Sequence, residues 1–172
     1  MGGALSDVYF LSLNINQLFE YVMKILMVCL GNICRSPLAE GILKNKAELL
    51  ELNWEIDSAG TGAWHIGELP DRRSIEKARQ YGIDITDQRA RQLERKDLSY
   101  FDLILTMDES NYQNALRLVN SKEQTAKVKM IMDYAFPGES INVPDPYWDD
   151  NGFEHVYQML DQACGKLIET HK

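Results

Sequence analysis

Apolar and polar positions fall into short alternating blocks along the chain. The first strong block is Ile25-Leu26-Met27-Val28 behind Lys24, an unbroken apolar run that predicts a strand buried on both faces. A glycine-containing stretch follows, and then Leu38, Ile42 and Leu49 recur at helical spacing, with Glu40, Lys44 and Glu48 placed for a solvated face. Residues 54–58 alternate as a second strand, and residues 59–67 form a glycine-rich turn. Residues 71–80 predict a helix that Gly82 can end. Ile83 and Ile85 suggest a brief extended stretch, and residues 93–98 a helical turn. Residues 101–107 read as a third strand, Asp108 to Asn111 as the opening of another helix, and residues 128–132 as a fourth strand. Phe153, Val156, Tyr157, Leu160, Cys164 and Leu167 share one face of a final helix.

Strands alternating with helices predict one α/β domain: a three-layer sandwich with a central four-stranded parallel sheet flanked by helices. A chain of 172 residues suits a single domain spanning residues 23–172, with residues 1–22 as a leader. Leu18, Phe19 and Val22 make at most a short helical face there. The leader lacks a basic n-region and a small-residue cleavage site, which argues against a signal peptide. It is expected to be a surface arm or the product of an upstream start codon. A net charge of −8 without a basic tract argues against nucleic acid as a partner. No apolar run is long enough to span a membrane. Three cysteines make no disulfide scaffold, and a required thiolate fits the reducing cytoplasm.

The chemistry concentrates in Val28-Cys29-Leu30-Gly31-Asn32-Ile33-Cys34-Arg35-Ser36-Pro37. Strand, tight loop and helix start in that order can turn several backbone N–H groups inward, while the helix terminus adds partial positive charge. That makes a socket for a tetrahedral oxyanion. Cys29 leaves the strand end facing the socket, and Arg35 can return as a fork that grips two oxygens. The loop donors, Arg35 and the helix terminus all favour a thiolate at Cys29. Ser36 can cap the helix or bond the Cys29 sulfur, and Pro37 suits the first turn. Cysteine and arginine at this spacing are also compatible with a buried cysteine beside a capping loop.

A second cluster is Val143-Pro144-Asp145-Pro146-Tyr147-Trp148-Asp149-Asp150. Two prolines restrict the backbone around Asp145, and an aromatic surface favours its protonated form, as a general acid requires. On the turn alone, a capping aspartate is the stronger reading. Trp64 alone reads more readily as a partly exposed packing residue. His65 reads as a surface histidine, Asp149 and Asp150 as solvated, and Cys164 as core.

The ten-residue loop resembles the phosphate-binding loop of the low-molecular-weight protein tyrosine phosphatases. Further matches are Asp57-Ser58-Ala59-Gly60-Thr61, Met107-Asp108-Glu109-Ser110-Asn111 and Asp145-Pro146-Tyr147, over roughly residues 23–171. The resemblance implies a protein tyrosine phosphatase with Cys29, Arg35 and Asp145 as catalytic residues. Leu30, Gly31, Asn32, Ile33, Cys34, Arg35 and Ser36 would bind phosphate. Trp64, Tyr147 and Trp148 would wall the phosphotyrosine ring, Ser58 would hold Asn32, and Asp108 would be structural. No cofactor and no metal are implied, and the chain lacks a metal-ligand spacing pattern. The implied partner is a tyrosine-phosphorylated protein or peptide, with inorganic phosphate as product and a monomer as the acting form. Tyr81 departs from relatives that carry a histidine packed near the loop. Cys34 stands close enough in sequence to Cys29 to form a reversible disulfide, or merely packs beneath the loop.

Three alternatives stay open. An arsenate reductase on this fold passes oxidation to further cysteines, yet residues 35–163 contain none. Protein arginine phosphatases tend to carry threonine where Ile33 stands. A phosphate-binding regulatory module would not need Cys29, Arg35 and Asp145 together.

Overall fold

The computed structural model describes residues 21–172. The leader's residues 1–20, including Leu18 and Phe19, lie outside the described residues. Strands β1 (Met23–Cys29), β2 (Trp54–Gly60), β3 (Leu103–Thr106) and β4 (Val128–Met130) form one sheet in the order β2-β1-β3-β4. Every pairing is parallel, with Cys29 opposite Gly60 and Val28 opposite Thr106. The helices are α1 (Arg35–Leu49), α2 (Arg72–Gln80), α3 (Asp97–Tyr100), α4 (Glu109–Leu116), α5 (Lys122–Lys127) and α6 (Gly152–His171).

The apolar run of β1 explains the three layers. Ile25, Met27 and Cys29 face one core with Leu38, Ile42, Val156 and Leu160, whereas Leu26 and Val28 face another with Leu98, Ile104 and Ala115. Successive side chains point to opposite faces, so a central strand must be apolar throughout. The chain leaves β1 towards β2 on one side and later reaches β3 on the other. The C-terminal ends of β1 and β3 therefore form a topological switch point, where open α/β sheets place their ligands.

Several sequence expectations change. Glu40 is buried rather than solvated, because α1 is covered by both the sheet and α6. Leu49 is exposed: the last turns of α1 and α6 flank an open groove there. Ile83 and Ile85 are buried but form no strand; their side chains meet α1 at Gly41, and Gln88 Nε2 donates to the Pro37 carbonyl. The fourth strand stops at Met130 and gives way to a 3-10 turn, Ile131–Tyr134. The helical turn expected at residues 93–98 lies at Asp97–Tyr100, and α5 had no counterpart in the pattern.

Candidate active site

Cys29 ends β1 and α1 begins at Arg35, so five residues turn the chain through the loop. The turn needs Asn32 in the left-handed region, at φ 56°. Asparagine tolerates that conformation when its side chain is tied down. Here Asn32 Nδ2 donates to Ser36 Oγ (2.9 Å) and Ser58 Oγ (2.8 Å), and Asn32 Oδ1 accepts from the Arg91 N–H (2.9 Å). Ser58 Oγ in turn donates to Glu40 Oε2 at 2.6 Å. Burial raises the Glu40 carboxyl above the ordinary glutamate value, against the opposing pull of Lys44 and Ser58. Thus Ser58 does hold Asn32, and Glu40 stands behind both.

The loop also rests on the end of β2. Thr61 N–H donates to the Cys29 carbonyl and Gly62 N–H to the Leu30 carbonyl, at 2.9 and 2.8 Å. A Cβ at Gly60 would stand 2.8 Å from the Leu30 carbonyl oxygen and 3.0 Å from Asn32 N, so only glycine fits this approach.

Cys29 lies at the floor of a cavity of about 300 Å³ lined by Leu30, Gly31, Ile33, Cys34, Arg35, Trp64, His65, Asp145, Tyr147 and Trp148. Its sulfur receives the Asn32 N–H at 3.2 Å and stands 3.1 Å from Ser36 Oγ, one of the two roles expected of Ser36. Among the described residues, no protein acceptor takes the N–H groups of Gly31, Ile33, Cys34 or Arg35. No side chain caps α1 at Cys34 either, so its terminal dipole is open to an anion.

Arg35 is buried and fixed from three directions. Nη1 donates to Asp108 Oδ2 (2.6 Å) and to the Val143 carbonyl (3.0 Å), and Nη2 lies 3.4 Å from Asp145 Oδ2. Burial works against its charge, but Cys29, Asp108 and Asp145 outweigh that and raise its pKa. Asp108 also caps α4 by accepting from Asn111 N–H at 2.7 Å. The sequence suggested only a structural carboxylate at Asp108; the structure adds that it orients Arg35.

Asp145 starts a short 3-10 turn, Pro146–Trp148, and its Oδ1 accepts the Tyr147 N–H at 3.1 Å. It lines the cavity with Cys29, so the two sequence clusters meet. Trp64 is 71% and Trp148 90% exposed, too open for packing residues, and both flank the cavity mouth with Tyr147. Trp64 lies against Gly62, where a Cβ would stand 1.9 Å from its ring. His65 is a wall that sequence reasoning missed: its ring lies over Gly31 and bonds Glu68 at 2.8 Å. Cys34 is buried beside Cys29, and burial, with Asp71 and Cys29 contributing, pushes its thiol up to about 12. Asp150 is exposed, as expected, and in addition pairs with Arg73 at 2.6 Å. Tyr81 stacks on Tyr157 at 3.8 Å and bonds Glu154, both on α6. Cys164 is core, as expected. Among the described residues, no helix is long and apolar enough to cross a membrane, and no cluster of His, Cys, Asp or Glu is arranged to hold a metal ion.

The low molecular weight phosphotyrosine protein phosphatase of Schizosaccharomyces pombe is 45% identical over 144 residues, covering 81% of this chain and 91% of its own. The low molecular weight protein-tyrosine-phosphatase YfkJ of Bacillus subtilis is 40% identical over 151 residues, or 87% and 96% of the two chains. The crystal structure of YfkJ superposes with a TM-score of 0.82, at 38% identity over 87% of this chain and 94% of that one. DARP, a drosophila arginine phosphatase, superposes with a TM-score of 0.81, at 32% identity over 87% and 98%. The family model for low molecular weight phosphotyrosine protein phosphatase matches residues 24–172. With the loop, the carboxylates and the parallel sheet placed as described, the chain belongs to the low molecular weight phosphotyrosine protein phosphatase family.

Proposed function

We propose that this chain hydrolyses phosphotyrosine in proteins or peptides through a phosphocysteine intermediate. The observation that carries the reading is the cavity that has Cys29 at its floor, buried Arg35 beside it and Asp145 at its wall. The phosphoryl group sits in the loop of residues 30 to 36, among the unclaimed N–H groups of Gly31, Ile33, Cys34 and Arg35, with the Arg35 guanidinium as its counter-charge. Cys29 thiolate attacks phosphorus in line. The S–P bond forms as the P–O bond to the phenol breaks, and Asp145 gives its proton to the leaving oxygen. Arg35 and the N–H groups stabilise charge on the equatorial oxygens. In the second step Asp145 carboxylate takes a proton from water as that water attacks phosphorus. Cys29 leaves as thiolate, inorganic phosphate is released, and Asp145 is protonated again.

Specificity follows from shape. Trp64, Tyr147 and Trp148 offer aromatic faces at the mouth, suited to a phenyl ring. A phosphoserine is shorter than a phosphotyrosine and lacks the ring that those faces would hold. The similarity to an arginine phosphatase keeps phosphoarginine as a second reading, but the apolar Ile33 side chain in the wall favours the aromatic ring. The working form is read as a monomer in the cytoplasm, needing no cofactor and no nucleic-acid partner. Peroxide is expected to join Cys29 and Cys34 in a reversible disulfide, which peptide-level mass spectrometry locates; absence of that linkage after mild oxidation would refute it.

The test is phosphate release from a phosphotyrosine peptide across pH, in chelator-treated buffer with a thiol reductant. Turnover that is lost in Cys29→Ser is expected. No release from folded protein with reduced Cys29, beside release from a phosphoarginine peptide, would replace this reading with the second.

A further inference from the structure

The first turn of α2 touches both chemical loops, although no residue in it lines the cavity. On one side the Asp71 N–H donates to the Ile33 carbonyl at 2.7 Å, and Ser74 Oγ donates to the Cys34 carbonyl at 3.3 Å. Both acceptors belong to the loop that starts at Cys29. On the other side Arg73 reaches the loop of Asp145. Its Nη1 donates to Asp150 Oδ1 at 2.6 Å and its Nη2 to the Tyr147 carbonyl at 3.1 Å. Its guanidinium also lies 5.7 Å from the Tyr147 ring centre and 4.8 Å from that of Phe153.

Tyr147 is the residue whose N–H holds Asp145 Oδ1. The backbone of one residue, Tyr147, therefore carries both the Arg73 contact, at its carbonyl, and the Asp145 contact, at its N–H. Arg73 itself is braced, because Asp71 Oδ1 accepts its N–H (2.8 Å) and Nε (3.0 Å), and Asp71 Oδ2 accepts Nη2 (2.9 Å). A planar guanidinium with fixed partners on both edges is a stiff spacer.

We propose that Arg73 is a positioning residue that sets the separation between the Cys29 loop and the Asp145 loop, so that the Asp145 proton reaches the leaving oxygen. The proposal rests on the reading of Asp145 as general acid. Misplacing a reacting group by about 1 Å can cost on the order of a hundredfold in rate. The effect must therefore appear where proton donation matters. A phosphotyrosine leaving group is a poor one and needs the proton, whereas dinitrophenolate is stable without it.

The experiment measures kcat/KM for a phosphotyrosine peptide and for dinitrophenyl phosphate. The proteins are the unmodified chain, Arg73→Met, Arg73→Lys, Asp150→Asn, Asp145→Asn and the Arg73→Met/Asp145→Asn double variant. Arg73→Met keeps an apolar stem over Phe153 and is expected to lose about tenfold on phosphotyrosine and less than about twofold on dinitrophenyl phosphate. Arg73→Lys recovers part of that loss. In the Asp145→Asn background the Arg73→Met loss vanishes, because the two residues act as a unit. Asp150→Asn alters only an exposed partner and shows a smaller loss with the same split, so it carries the test if Arg73→Met fails to fold. Equal losses on both substrates, or a full loss in the Asp145→Asn background, would overturn the proposal. An impaired Asp145→Asn beside an unaffected Arg73→Met overturns the Arg73 role alone. If Asp145→Asn itself leaves phosphotyrosine turnover intact, the general-acid reading falls and the proposal falls with it.

Discussion

Asn32 is the residue on which the loop geometry most depends, and its replacement yields a worked number. Asn32→Ala removes two donated hydrogen bonds, both buried, and one accepted, part-buried bond, all between 2.8 and 2.9 Å. At about 1 kcal/mol net for each, that is about 3 kcal/mol. Ser36 and Ser58 keep other partners, Cys29 and Glu40 respectively, so only the Arg91 N–H loses its partner outright. An alanine at φ 56° costs roughly 1 kcal/mol more, since it keeps the crowding Cβ but lacks the short polar side chain that lets asparagine tolerate that conformation. The expected destabilisation is about 4 kcal/mol, or a fall of about 2 M in the urea midpoint for a slope near 2 kcal/mol per M. Asn32→Gly loses the same bonds without the conformational penalty and should lie about 1 kcal/mol above the alanine variant. Urea unfolding followed by circular dichroism measures both. An alanine variant destabilised by less than about 1 kcal/mol, or a glycine variant less stable than alanine, would refute the reasoning.

Three further predictions draw on other parts of the site. Gly62→Ala places a methyl where the Trp64 ring now lies, so the ring must swing away. Because Trp64 is so exposed, stability should hardly change, while KM for a phosphotyrosine peptide rises about threefold to tenfold, the worth of one aromatic contact; an unchanged KM would remove Trp64 from the substrate wall. Glu40 binds its proton more tightly folded than unfolded, so stability falls as pH rises from the ordinary glutamate value through the higher folded one. Glu40→Gln should remove that slope in urea midpoints measured across acidic pH, and a persisting slope would contradict it. Iodoacetamide at neutral pH should label Cys29 and spare Cys34 and Cys164, whose thiols burial pushes up to about 12. Peptide mass spectrometry reads the order, and Cys34 reacting first would contradict it.

The sheet and the loop were legible because their signals are local. The run Ile25 to Val28, the spacing from Cys29 to Arg35 and the Pro-Asp-Pro turn each lie within a few neighbouring residues. Glu40 was misplaced because a carboxylate at a polar helix position says nothing of Ser58, which reaches it from strand β2. Arg73, Asp150 and the second role of Asp108 were missed for the same reason. Their partners lie 73 to 77 positions away in sequence, and no periodicity encodes such a pairing. The Gly41 contact with Ile85 likewise shows how a short apolar pair can be buried without forming a strand. His65 carried a faint signal, its place between Trp64 and a second glycine turn, but only the fold lays its ring over Gly31.

The most direct measurement on the central claim is acid quenching during turnover of a phosphotyrosine peptide, followed by mass spectrometry of the peptide that contains Cys29. The account predicts one phosphoryl group on the Cys29 sulfur, formed in the unmodified chain and absent from Cys29→Ser. Steady phosphate release with no phosphoryl group on Cys29 at any quench time, or undiminished release by Cys29→Ser, would contradict it.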